Sequence, residues 1–208
     1  MNLKKILIGI TGIIIISSIG FALFFARVIP RTTPSTGIVS PASGKVIALF
    51  DSNNPTIVFE KQGVTNTVSL PEFTTPVHVV LIELNLGDVH VQRAPLSGTI
   101  TRMEHFDGDH INALGKDKTT IAATNEKVVT LFKSDTTLVG VVQVAGRAAR
   151  RIRNSLSTGS PVHTGEVYGR ILLGSQVVLI IPQEIPLAIS VGDRVTDGET
   201  VIATNSSR

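Results

Sequence analysis

A chain of 208 residues holds one or at most two globular units. About 175 residues remain once an N-terminal apolar segment is set aside, enough for a sizeable core. There is no cysteine, which excludes disulfides, thiolate catalysis and Cys-ligated zinc. The net charge is +3, yet Lys4, Lys5, Arg27 and Arg31 supply four of the 19 bases and no acid precedes Asp51, so the remainder carries 15 bases against 16 acids. With one tyrosine and no tryptophan, that remainder lacks the basic surface and stacking platforms of nucleic-acid binders, and no nucleic-acid partner is expected.

In chain order, Ile6 to Ala26 is a run of 21 residues without charge, rich in Ile, Leu and Phe. As a helix it would extend about 31 Å, so it is expected to be a transmembrane helix and a retained anchor (residues 1–29). The bulky, basic stretch after it offers no convincing signal-peptide cleavage site. Lys4 and Lys5 face Arg27 and Arg31 across the run, so charge does not set its orientation. Residues 30–41, with Pro30, Pro34, Gly37 and Pro41, read as an extended linker. Residues 42–208 are expected to form the functional domain.

That domain is expected to be mostly β. Short β-branched segments occur at Lys45–Phe50, Thr56–Glu60, Val77–Leu84, Thr99–Met103, Lys127–Phe132, Leu138–Val144, Glu166–Leu173, Val177–Ile181 and Val201–Thr204, nearly all divided by turn residues. Ala145–Asn154 alone resembles a short helix. Two internal echoes are present. Pro41-Ala-Ser-Gly-Lys-Val46 matches Pro95-Leu-Ser-Gly-Thr-Ile100, and Gly159-Ser-Pro-Val-His-Thr-Gly-Glu166 matches Gly192-Asp-Arg-Val-Thr-Asp-Gly-Glu199. The second echo is the turn chemistry of lipoyl-like domains, and the expected fold is a closed, pseudo-symmetric barrel-sandwich.

One dipeptide breaks the pattern. Gly174-Ser175 sits inside the uncharged run Ile171–Ile180, where a buried strand has little use for glycine and must satisfy a serine hydroxyl. Taken alone, it reads as a bulge whose serine bonds a nearby carbonyl or as a reactive peptide bond.

The surrounding motifs point to chemistry. Asp88-Val-His-Val-Gln-Arg-Ala-Pro-Leu-Ser-Gly-Thr-Ile100, Ile111-Asn-Ala113, Asn125-Glu126, Gln143-Val-Ala-Gly146, Ala149-Arg-Arg-Ile152 and Gly169-Arg-Ile-Leu-Leu-Gly-Ser-Gln176 occur in an order and spacing that resemble the short phosphatidylserine decarboxylases. Phe24-Phe25 with Arg27, Pro30 and Arg31, and then Val39-Ser-Pro-Ala-Ser-Gly-Lys-Val46, resemble that family's upstream segments. The resemblance runs from Phe24 to Ala203.

It implies an enzyme that makes its own pyruvoyl cofactor. Ser175 would attack the Gly174 carbonyl, the resulting ester would break by β-elimination, and the former Ser175 would become the pyruvoyl end of a 34-residue fragment. The two fragments would stay associated. The pyruvoyl carbonyl would act as electron sink for loss of carbon dioxide from the serine head group of phosphatidylserine, or of an archaeal ether lipid with the same head group. The resemblance assigns His90 as base in cleavage and acid in turnover. Asp88, two residues away on the same strand face, is a possible orienter of its ring. His78, His105, His110 and His163 have no metal-ligand spacing, and no metal is expected. A membrane phospholipid substrate, cell-membrane localisation with the catalytic domain on the cytoplasmic face, and a possible homo-oligomer complete the expectation.

The family's aspartate in Ser-Pro-Ala-Asp-Gly is Ser43 here, which carries no charge to stabilise an imidazolium, and Gln176 stands where larger members have threonine. A degenerate, uncleaved relative is therefore one alternative. A membrane-anchored barrel-sandwich adaptor is another, though the coiled-coil heptads it needs are absent. A sugar-phosphotransferase carrier domain would need a supported phosphorylatable histidine, which His78 and His90 do not obviously provide.

Overall fold

The computed structural model describes residues 3–61, 63–74, 76–108, 125–146, 152–171 and 175–204. One helix, α1 (Leu3–Ala26), precedes fifteen strands: β1 (Ile38–Val39), β2 (Gly44–Ser52), β3 (Thr56–Lys61), β4 (Val64–Ser69), β5 (Val77–Glu83), β6 (Val91–Arg93), β7 (Gly98–Phe106), β8 (Lys127–Lys133), β9 (Leu138–Val144), β10 (Ile152–Asn154), β11 (Pro161–Val162), β12 (Val167–Ile171), β13 (Gln176–Pro182), β14 (Arg194–Val195) and β15 (Val201–Ala203).

Two expectations are corrected at the N-terminus. Among the described residues no helix is long and apolar enough to cross a membrane, so neither the transmembrane helix nor the single-pass localisation is supported. The helix that is present, α1, runs from Leu3 to Ala26. Its apolar surface is also interrupted by Thr11, Ser17 and Ser18, the last bonded to the Ile14 carbonyl at 2.8 Å.

The expected short helix at Ala145–Asn154 is also corrected. Ile152–Asn154 is β10, paired antiparallel with β12, while residues 147–151 lie outside those described. Pairing with β12 decides this segment: Ile152 is buried in the core, and Asn154 is bonded to Gln143 at 2.9 Å.

The expected closed barrel-sandwich is replaced by one curled sheet of eight strands, ordered β11-β7-β8-β9-β13-β5-β2-β14, with a three-stranded sheet β10-β12-β6, the pair β1-β15 and the hairpin β3-β4 around it. Both sheet ends are two-residue strands, β11 and β14, and their turns repeat each other. Gly159 donates to the Ile100 carbonyl and Gly192 to that of Val46, both at 2.8 Å, while Ile100 and Val46 donate back to Ser160 and Asp193 at 3.0 and 2.9 Å. β2 and β7 bulge at the same place, after Val46 and after Ile100. Each strand opens with a glycine: a Cβ at Gly44 would stand 2.3 Å from the Glu83 carbonyl oxygen and one at Gly98 2.1 Å from that of Lys133. The two sequence echoes are thus two copies of one turn-and-strand contact.

The curl separates two apolar layers. Val46, Ile82, Ile100, Phe132, Val141, Tyr168, Val177, Leu179 and Ile181 fill one face; Val79, Leu81, Val129, Leu131, Val142, Val178 and Ile180 line the other, covered by Ile57, Phe59 and Val68 of the β3–β4 hairpin. β13 lies between β9 and β5 and is buried on both faces, which explains its unbroken apolar run. Each of its five aliphatic side chains contributes about 1.5–3 kcal/mol of burial. Ser175 is therefore attached to one of the best-held strands in the molecule.

Candidate active site

Ser175 immediately precedes β13, and its carbonyl accepts from the Leu84 amide at 3.0 Å, extending the β13–β5 ladder by one step. Its side chain is 1% exposed, and its Oγ has no hydrogen-bond partner among the described residues. A hydroxyl buried in this way forfeits roughly 1–3 kcal/mol, a cost more natural to a reactive group than to a structural one. Gly174, the other half of the bond, lies outside the described residues. The next side chain, Gln176, is also buried, with neither amide atom partnered among the described residues.

His90 reaches the same end of the sheet from the other side. The turn Leu84–His90 leads from the Ser175 partner back into the fold: Asn85 accepts from the Asp88 amide at 3.0 Å through its carbonyl and donates to the Asp88 carboxylate at 2.8 Å. The His90 carbonyl accepts from the amide of Ile171, the residue just before the 172–174 segment, at 3.1 Å. His90, through Ile171, and Ser175 thus stand at the two ends of residues 172–174.

The ring of His90 is 1% exposed, and its Nδ1 lies 2.8 Å from the Asp88 backbone carbonyl. A carbonyl only accepts, so Nδ1 carries the proton, and in the neutral ring Nε2 presents its lone pair. Burial holds the imidazole below its ordinary pKa, opposed by the Asp88 backbone hydrogen bond and by the Asp88 charge. Asp88 meets the ring through its backbone; its carboxylate is occupied by the Asn85 amide and Arg194. Behind His90, Gln92 donates to the His90 carbonyl at 3.2 Å, Gln143 to Gln92 at 3.0 Å and Asn154 to Gln143 at 2.9 Å, a buried amide chain that fixes this strand.

Ser43 lies elsewhere, in a buried charge cluster. Its hydroxyl donates to the carboxylate of Asp197 at 2.5 Å and accepts from the Asp197 amide at 3.1 Å. Arg31 and Arg93 bind the same carboxylate at 2.6 and 2.7 Å. Asp197 is fully buried. Ser43 supplies no charge, yet a carboxylate is present at its side chain. Sequence reasoning missed Asp197, although the paired turns hold the signal: Thr164 of one copy is Asp197 in the other. Arg93 also donates to the carbonyls of Gly165 and Ile29 at 2.7 Å each, pinning the segment after α1 to the domain.

A cleft of about 230 Å³ opens beside Ser175, lined by Ile47, Glu60, Lys61, Glu83, Leu84, Asn85, Leu86 and Gln176. Ile47 and Leu86 are exposed apolar side chains at this cleft. Lys61 was also missed. Its Nζ donates to the Val144 carbonyl at 3.1 Å, and Val144 pairs with Gln176 across β9 and β13. Burial pushes the ammonium down to about 7, against the opposing charge of Glu83. Its signal was the alternation of β3, where Ile57, Phe59 and Lys61 share the inward face. Of the remaining histidines, His78 bonds Asp51 at 2.6 Å and His105 approaches Glu126 at 3.0 Å; His110 lies outside the described residues.

A self-made pyruvoyl group needs a serine hydroxyl that no other group has claimed, an open approach and a neutral base nearby. Ser175 and the cleft fit the first two needs, and His90 is held by its carbonyl to Ile171, four residues before Ser175.

Residues 21–203 match the family model described as phosphatidylserine decarboxylase, against the expected 24–203. A putative archaetidylserine decarboxylase proenzyme of Methanocaldococcus jannaschii is 35% identical over 197 residues, covering 92% of this chain and 93% of the relative. Phosphatidylserine decarboxylase proenzymes of Magnetococcus marinus and Saccharopolyspora erythraea are 31% and 37% identical, covering 92% and 86% of this chain and 81% and 71% of theirs. A decarboxylase, this chain belongs to the phosphatidylserine decarboxylase family.

Proposed function

We propose that the protein is a proenzyme that cleaves itself between Gly174 and Ser175 and then decarboxylates the serine head group of a phospholipid, phosphatidylserine or archaetidylserine. The observation that carries this reading is the buried Ser175 Oγ, unpartnered among the described residues, at the lip of a cleft and one residue from the doubly buried strand β13.

In maturation, His90 Nε2 takes the hydroxyl proton of Ser175, and Oγ attacks the Gly174 carbonyl carbon, moving the acyl group from nitrogen to oxygen. Removal of the Ser175 Cα proton then expels the Gly174 carboxylate and divides the chain; hydrolysis releases ammonia. The pyruvoyl group so formed supplies a carbonyl electron sink for loss of carbon dioxide from an α-amino acid. His90, its ring fixed through Nδ1, can return a proton to the substrate carbon after the loss.

Cleavage need not separate the fragments. β13, β14 and β15 of the 34-residue piece are bound to β5 and β9, to β2 and to β1 of the larger one. Exposed Ile47 and Leu86 beside the cleft suit a substrate whose head group enters while its acyl or isoprenoid chains stay outside.

Intact-mass measurement tests the reading. A chain ending at Gly174 and a blocked 34-residue partner are expected, with carbon dioxide released from phosphatidylserine vesicles. Folded protein that stays full length would remove it.

A further inference from the structure

The cleft contains a cation and anions arranged as an amino-acid head group would need them. β3 alternates inward and outward, so Lys61 follows Ile57 and Phe59 onto the face that packs against the sheet. A lysine on an apolar face is costly unless its charge finds a partner. Its hydrogen bond to the Val144 carbonyl uses one of three N–H donors and places the ammonium at the strand position opposite Gln176, next to Ser175.

Gln176 lines the same cleft, is 2% exposed, and has a free amide oxygen and a free amide nitrogen among the described residues. Glu83 pairs with Gln176 on the opposite flank of β13, and Glu60 precedes Lys61; both are exposed at the cleft. The buried end of the cleft therefore offers cationic and amide donors, and its outer part offers carboxylates. A phosphate alone would be repelled by the two glutamates. An α-amino acid, with carboxylate and ammonium on one carbon, satisfies both ends.

On the reading that a serine head group reacts at Ser175, we infer that Lys61 and the Gln176 amide hold its α-carboxylate, the group lost as carbon dioxide, while Glu83 faces its α-amine. Lys61 thereby sets specificity for the serine lipid over the ethanolamine product. Departure of the carboxylate removes Lys61's partner, so the site holds substrate more tightly than product. The lowered pKa of the Lys61 ammonium fits this role, because an arriving carboxylate raises its affinity for the proton.

The test uses full-length protein carrying Ser175→Ala, which cannot process itself, and the soluble head-group probes glycerophosphoserine and glycerophosphoethanolamine, with dissociation constants from calorimetry. The parent is expected to prefer the serine probe at least tenfold. Adding Lys61→Met is expected to erase that preference without weakening the ethanolamine probe, whereas Glu83→Gln weakens both and keeps the preference. A preference that survives Lys61→Met, a parent with no preference, or a Glu83→Gln variant that loses it overturns the inference. In the processing-competent chain, Lys61→Met is expected to yield the 34-residue fragment and a KM raised more than kcat is lowered. A folded variant that fails to cleave would move Lys61 into maturation and also overturn it. Because the probes are read on uncleaved protein, a wild type that never cleaves would refute self-processing while leaving this preference measurable.

Discussion

Two buried polar clusters in this molecule have opposite characters. Around Asp197, both carboxylate oxygens are engaged, by Arg31 and Ser43 on one and Arg93 on the other, and the cluster ties residues 29–31, 43, 93 and 165 together. At the Ser175 cleft, a buried hydroxyl and both amide atoms of Gln176 are without partners among the described residues, and a lysine keeps a lowered pKa. Satisfied charge at buried sites holds structure, while unsatisfied polar groups beside an opening mark the place where another molecule completes the bonding.

Substitutions can break or sharpen this contrast. The largest effect is expected from Ser175→Ala, which should abolish both chain cleavage and carbon dioxide release while leaving the melting temperature unchanged or raised, as gel and calorimetry would record. A large fall in stability would place Ser175 with the structural cluster instead. If the ring is the general base of the proposed cleavage, His90→Gln should slow it by about 10²–10⁴-fold, followed by timed intact mass after synthesis. Unchanged cleavage kinetics would exclude it.

Asp197→Ala leaves two guanidinium groups facing each other and is expected to cost about 3–5 kcal/mol in urea unfolding, with activity lost only in proportion to unfolded protein. Next comes pH. Lys61 titrates near 7 when folded and near 10.4 when unfolded, so between those values the unfolded chain binds more protons and stability rises with pH, by up to about 1.4 kcal/mol per unit. Below about 7 both states are protonated and this contribution is flat. Lys61→Met should flatten the rise, and a wild-type stability curve already flat from pH 7 to 10 would contradict the lowered pKa of Lys61. The smallest effect belongs to Ser43→Ala, about 1 kcal/mol, because the two arginines still hold Asp197.

Much of the β framework was legible because strands here are short, β-branched and bounded by turn residues. Val77–Leu84, Lys127–Phe132 and Leu138–Val144 each lie within about a residue of β5, β8 and β9. β4 escaped because Thr65, Asn66 and Thr67 dilute its apolar signal; its inward side chains are Val64, Asn66 and Val68. Ala145–Asn154 misled because local helix propensity is weak beside the ladder that draws Ile152 and Asn154 to β12. The apolar run at the N-terminus is helical, but composition alone overstated what that helix could span.

By itself, the sequence determined the repeated turns, the odd hydroxyl at Ser175 and the motif containing His90, because turn chemistry and strand periodicity are local and a polar residue stands out against an apolar run. Only the tertiary structure decided which groups meet. It put Asp197 on Ser43 from 154 positions away, brought Lys61 to the rim beside Gln176, and turned His90 through the Asp88 carbonyl. Those pairings depend on sheet order and curl, which arise from packing two apolar layers at once, and no spacing along the chain encodes them.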